Sequence, residues 1–340
     1  MPYQKRLKMR VIRNINKYGR LLVWIGLVVA LAFGGAARES AGAEPTLVRI
    51  GYGGIAGYQL PLWVVREAGI SRKYGIEVEP LLIAGGALNM QALVAGSIQM
   101  SQNSASSAIQ GAVRGAPIVV IATLENKMPF QIVARAEIKD PQQLKGKRIG
   151  ILRFGGSNDT GVQWALKAWK IDPRQVTMLQ TGPTAARIIA LERGHIDATI
   201  LSYPDIYTVR KLGMNILADI GDFSSYPNTC LMVTRSLPEK QRSLVKNLLR
   251  SYIEAIHYIR TNREGSIRIL MKYLKVNDPE AVEATYDFFS RRMDRLPRTD
   301  PEGIKNILKE MGAPQKNASE FFDPSVLDEI ENEGFLQKLR

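Results

Sequence analysis

After Pro45 the apolar and polar positions alternate between two periods. Leu47-Val48-Arg49-Ile50-Gly51-Tyr52 predicts a strand, and residues 77–83 predict a second. Between them, 61–69 reads as a helix with proline in its first turn. Ala87, Met90, Leu93 and Val94 share one helical face, and short apolar runs follow at 118–123 and 130–134. A second series starts at Arg148, where Val162, Ala165, Leu166 and Trp169 have the i, i+3, i+4, i+7 spacing of an amphipathic helix. This β-α-β-α rhythm predicts an α/β fold with largely parallel sheets. From about Pro238 the pattern turns into helical stripes. Val245, Leu248, Leu249, Tyr252, Ile256 and Ile259 form one, and Ile267, Leu270, Met271 and Leu274 form another; both are expected to pack in the core. Asp278 before Pro279 and Asp300 before Pro301 are N-cap signals.

The chain also echoes itself. Arg49-Ile50-Gly51 returns as Arg148-Ile149-Gly150, and residues 92–98 (ALVAGSI) return as 190–196 (ALERGHI). The offsets are 99 and 98 residues. The first echo is a strand running into a turn. The second is a helix ended by glycine and followed by a strand. Two matches at nearly one offset predict two similarly built lobes.

Composition changes the picture only at the N-terminus. Hydrophobic residues make up 45% of the 340 and charged residues 23%, an ordinary globular balance that can bury a sizeable core. The net charge of +14 raises the question of nucleic acid. Half of it, +7, sits in residues 1–43, and the rest is spread without a basic run, so no nucleic-acid footprint is expected. Residues 1–43 read as a signal peptide. A basic stretch ends at Arg20, an uncharged apolar run covers 21–35, and Ala41-Gly42-Ala43 offers the small-x-small cleavage pattern. The 15-residue run is short of the roughly 20 residues that span a bilayer as a helix. The mature chain is expected to start at Glu44, outside the cytoplasm. Cys230 is the single cysteine, with apolar neighbours, and is expected to be a buried, inert thiol.

At this point the chain resembles the periplasmic substrate-binding proteins of ABC importers for aliphatic sulfonates, taurine and nitrate, a group related to binding proteins for a thiamine pyrimidine precursor. The resemblance rests on Arg49-Ile50-Gly51-Tyr52, on residues 61–70 (PLWVVREAGI) and 73–79 (KYGIEVE), on Gly85-Gly86, on Met90-Gln91-Ala92-Leu93, on Gly96-Ser97-Ile98, on Gly115-Ala116-Pro117-Ile118, and on 140–150 (DPQQLKGKRIG). It covers about residues 46–235. It implies a type II periplasmic-binding-protein fold: two α/β lobes, two hinge crossings and a helical C-terminal part. The expected lobes are 46–135 and 136–227, with 228–340 returning to the first lobe, and the crossings are placed near 134–140 and 226–233. It also implies a small organic anion or zwitterion as ligand, a membrane permease as partner, and a monomer. One departure stands out: many relatives carry an acidic pair after the glycine of the second helix, where this chain has Gly96-Ser97-Ile98-Gln99-Met100.

The candidate binding chemistry is a set of small-residue loops that follow predicted strands and open helices: 53–57, 85–87, 104–107 and 155–158. Helix N-termini offer free N–H groups, and small residues let a ligand approach the backbone, which suits small oxyanions. The candidate ligand-binding residues are Gly54, Tyr58, Gly85, Gly86, Ser104, Ser106, Gly156, Ser157, Asn158, Thr184 and Tyr203, with Glu125 able to hold an amine. Plain turn and capping chemistry is the competing reading of each loop. No catalytic residue, cofactor or metal is assigned, because no HxxxH, CxxC or nucleophile-elbow pattern appears. The alternatives are an enzyme of this fold acting on a thiamine pyrimidine or menaquinone precursor, and a sensor-type binding protein.

Overall fold

A computed structural model describes residues 44–339. The expected signal peptide lies outside the described residues. Ten strands form two five-stranded sheets. The first has the order β2 (Ile76–Leu82), β1 (Thr46–Tyr52), β3 (Met100–Asn103), β10 (Thr229–Thr234), β4 (Ile118–Glu125). The second has β7 (Thr177–Gln180), β6 (Arg148–Ile151), β8 (Ala198–Leu201), β5 (Gln131–Ala134), β9 (Asn215–Asp219). Within each sheet the first three strands are parallel. The fourth, β10 or β5, is antiparallel to both neighbours. Both antiparallel strands follow a change of sheet.

The chain changes sheet at 126–130 and returns at 220–228. The first change lies upstream of the expected 134–140 segment, and β5, expected in the first lobe, belongs to the second sheet. The reason is legible afterwards: Phe130 to Ala134 is an apolar run because β5 is buried between β8 and β9.

The helices between strands are α1 (Leu60–Glu67), α2 (Gly86–Val94), α3 (Ala105–Val113), α4 (Ser157–Ala168), α5 (Thr184–Glu192) and α6 (Asp205–Lys211). The C-terminal part is helical, as its stripes predict: α7 (Ser236–Lys240), α8 (Arg242–Thr261), α9 (Arg263–Leu274), α10 (Pro279–Ser290), α11 (Pro301–Glu310), α12 (Ser325–Asn332) and α13 (Phe335–Lys338). The whole expected stripe of α8 is buried against the first sheet's helices, and Trp63 of α1 stacks on Tyr273 of α9 at 4.7 Å. Met271, expected in the second stripe, is exposed. Asp278 and Asp300 cap α10 and α11, each accepting a bond from the backbone N–H two residues on.

The internal repeat has a physical cause. A Cβ on Gly51 would lie 2.6 Å from the Ile98 side chain, and one on Gly150 would lie 2.5 Å from Ile196. The two echoed motifs therefore touch each other in each sheet. Gly96 and Gly194 end their helices at φ of +75° and +69°, a conformation that glycine adopts without strain. Cys230 is buried in β10, and burial pushes its thiol up to about 12.

Candidate functional site

The carboxyl ends of the parallel strands in both sheets carry loops that open helices, and these loops meet. Tyr58 stands between them. Its ring meets Phe130 and Phe289 edge-on, at 6.4 and 6.1 Å. Burial raises its pKa to about 12, while the charges of Arg187, Asp205 and Glu125 all act on it. The backbone N–H of Gly57 donates to the carbonyl of Tyr203 (3.4 Å), joining the loop after β1 to the loop after β8. A Cβ on Gly85 would lie 3.8 Å from the Arg153 guanidinium, so the loops after β2 and β6 also approach.

On the first sheet's side, Gly54 faces the Tyr58 hydroxyl, and a Cβ on Gly86 would fall on Ser107. Gln102 Nε2 donates to Gln59 Oε1 (2.7 Å) and to the Tyr58 carbonyl (3.4 Å). Asn103 packs under Gly53. Ser104 caps α3, lies 3.0 Å from the Ser106 hydroxyl and donates to Tyr226. These two serines are therefore engaged with one another and with the returning crossing. Glu125 is 1% exposed and ends β4, where the chain changes sheet. Its Oε1 pairs with Arg292, whose guanidinium also reaches Asp219 (3.6 Å) and the Met128 carbonyl (2.8 Å). Burial raises the Glu125 pKa to about 7 against the pull of Arg292.

On the second sheet's side, Gly156 is the N-cap of α4, Ser157 opens the helix and Asn158 is buried. Asp159 accepts a bond from the Gly155 N–H (2.8 Å), closing the loop on itself. Thr184 accepts from Arg187 (3.0 Å). Arg187, 4% exposed, also donates to the carbonyls of Gly182 and Ile200. Burial lowers its pKa to about 10 and raises that of Asp205 to about 6, each effect opposed by the other group's charge. Tyr203 leans on Phe288 of α10 at 4.9 Å.

Where the two sides face each other, buried polar atoms lack hydrogen-bond partners among the described residues: Gln102 Oε1, Asn103 Nδ2, Glu125 Oε2, Gln131 Oε1, Asn158 Oδ1, Asp159 Oδ1 and Ser202 Oγ. Seven of the ten such atoms among the described residues belong to strand ends or to the loops and first helical turns beside them; the other three are Trp63 Nε1, Arg250 Nε and the Tyr252 hydroxyl. Gln102, Asn103, Gln131 and Arg187 were not picked out from the sequence. The usable signal was a pair of polar residues closing a strand at 102–103, and an arginine on the same helical face as Ala190 and Leu191. A separate cavity of about 280 Å³, lined by Ile121, Phe322, Pro324 and Leu327 among others, lies against the edge strand β4 and holds none of these atoms. Among the described residues no group of three or more His, Cys, Asp or Glu could hold a metal ion, and no helix is long and apolar enough to cross a membrane.

Known proteins carry the same plan. A binding protein of Brucella abortus is 28% identical over 248 residues, covering 69% of this chain and 74% of the relative. An Escherichia coli protein described as an aliphatic sulfonates-binding protein is 26% identical, covering 92% of each chain. The periplasmic nitrate-binding protein NrtA of Synechocystis superposes with a TM-score of 0.70 at 16% identity, covering 85% of this chain and 89% of that one. The fold is the expected type II periplasmic-binding-protein fold, with its strand order repeated in both sheets. Residues 58–265, which include strands of both sheets, match the family described as NMT1/THI5 like, and the chain belongs to this family.

Proposed function

We propose that the chain is an extracytoplasmic solute-binding protein that captures a small organic anion or zwitterion between two lobes and hands it to the membrane permease of an ABC importer. The lobes are the first sheet with the C-terminal helices and the second sheet with α4 to α6. The observation that carries this reading is the set of buried, unpartnered polar atoms on the facing strand ends of both sheets. A ligand held from both sides is bound only when the lobes close, so its affinity favours the closed form.

The contacts between α6 and α10 suit that closure. Lys211 of the second lobe lies 2.9 Å from Asp278 and 3.2 Å from Glu280, and Tyr207 donates to Glu280. These pairs are partly exposed, so each is weak and easily reopened. Ile55, Leu82, Leu88 and Phe154 are exposed on or beside strand-end loops of both sheets, an apolar rim suited to a partner surface. The chemistry of a signal peptide at 1–43 supports periplasmic delivery.

The test combines two measurements. Small molecules released from natively purified protein are identified by mass spectrometry, and small-angle scattering is recorded with and without the released compound. A smaller radius with ligand present and recovery of the compound unaltered are expected. An unchanged radius, or a chemically altered compound, counts against the clamp.

A further inference from the structure

We infer that the ligand presents nitrogen-bound hydrogens, as an amine or amino-substituted group, to the carbonyl oxygens of Gln102 and Gln131. This rests on the solute-binding reading and narrows it: a bare oxyanion does not satisfy the cleft.

The orientation of both amides is fixed by their neighbours. Gln102 is fully buried, and its nitrogen donates to the carbonyl of Tyr58 and to Gln59 Oε1. A backbone carbonyl only accepts, so the Gln102 nitrogen must face it and Oε1 is the free end. Gln131 is 8% exposed, and its nitrogen donates to Asp219 Oδ2 (3.4 Å). A carboxylate only accepts, so Gln131 Oε1 is likewise the free end. Gln102 lies opposite Leu231 near the carboxyl end of β3, and Gln131 opposite Leu201 at the carboxyl end of β8, next to Ser202. The two free oxygens thus belong to strand ends of the two different sheets.

The balance of the site points the same way. Among the unpartnered atoms, Gln102 Oε1, Gln131 Oε1 and Asp159 Oδ1 accept and Asn103 Nδ2 donates, while Glu125, Asn158 and Ser202 can do either. An ionised sulfonate or nitrate offers only acceptors and would set oxygen against oxygen at Gln102, Gln131 and Asp159. A ligand bearing N–H groups meets them, and an anionic portion can still face Asn103 and the N-terminus of α4.

The experiment is calorimetric titration of the purified protein with matched probes that differ by one amino group: taurine and ethanesulfonate, β-alanine and propionate, 2-aminopyridine and pyridine, with nitrate alongside. In each pair that binds, the amino member is expected to bind roughly tenfold tighter, the effect of one or two hydrogen bonds. Gln102→Met and Gln131→Met should each narrow that gap, with melting curves recorded for both. The gap is read on the unmodified protein, so a variant that fails to fold leaves the test intact. If ethanesulfonate, propionate or nitrate binds as tightly as the amino members, the inference is overturned while the solute-binding reading stands. If no probe binds and no small molecule is released from the native protein, both fall together.

Discussion

The two sheets are built on one plan, and the 98-residue offset lines up their interiors position by position. Asn89 in α2 corresponds to Arg187 in α5, and Ser101 in β3 to Thr199 in β8. Both helix residues are buried and bond to the carbonyls of the preceding loop. Asn89 donates to Ile83 (2.6 Å) and Gly85 (2.9 Å), and Arg187 donates to Gly182 (3.1 Å). Each also reaches the strand hydroxyl, Ser101 at 3.3 Å and Thr199 at 3.5 Å. The difference lies at the strand ends. In the first sheet the short Asn89 stops early and Gln102-Asn103 supply polar groups. In the second the strand ends in apolar Ile200-Leu201, and the long guanidinium covers the distance to the Ile200 carbonyl. At these matched positions the first sheet therefore presents two neutral amides and the second a buried guanidinium. One scaffold thus fixes where the site lies without fixing its chemistry.

The largest expected effect breaks this correspondence at its charged member. Arg187→Met removes every one of its bonds and leaves buried carbonyls and Asp205 without their partner. It should cost about 3 kcal/mol in urea unfolding, and Asn89→Ala about 1–2 kcal/mol. Equal losses would mean that the charge plays no separate part.

The next sharpens the shared element. Gly51→Ala and Gly150→Ala each drive a methyl group into an isoleucine of the echoed motif, and each should cost about 1–3 kcal/mol by overpacking. Similar losses at both positions are expected, and a loss at one alone would show that the two units do not pack alike.

The smallest effect concerns the junction between the sheets. Glu125 has its pKa raised from 4.5 to about 7 by burial. The native state therefore holds the proton more tightly than the unfolded chain. Its contribution is fully present below about pH 4.5 and is lost as pH rises through 7. Glu125→Gln should flatten the fall of melting temperature between pH 5 and 8. The slope from Asp205, raised to about 6 for the same reason, remains. An unchanged slope in the variant would place the titration elsewhere.

Sequence periodicity alone determined the α/β class, the helical C-terminal part, the caps at Asp278 and Asp300, and the existence of two like units. These are set by neighbours within one turn or one strand, and by a repeat that any reader of the chain can align. It also located the small-residue loops that open helices, such as 104–107 at the start of α3 and 155–158 at the start of α4. What tertiary structure alone decided is which side chains in those loops are free. Ser104 and Ser106 look available in sequence, yet they bond to each other and to Tyr226, 122 residues beyond Ser104. Glu125 is half committed to Arg292, 167 residues away. Gln102 and Gln131 look like ordinary strand residues until Tyr58 and Asp219 take up their nitrogens and leave the oxygens buried without a partner among the described residues. Local pattern fixes a backbone's path, but a polar atom's availability depends on partners that only the closed chain brings within 3.5 Å.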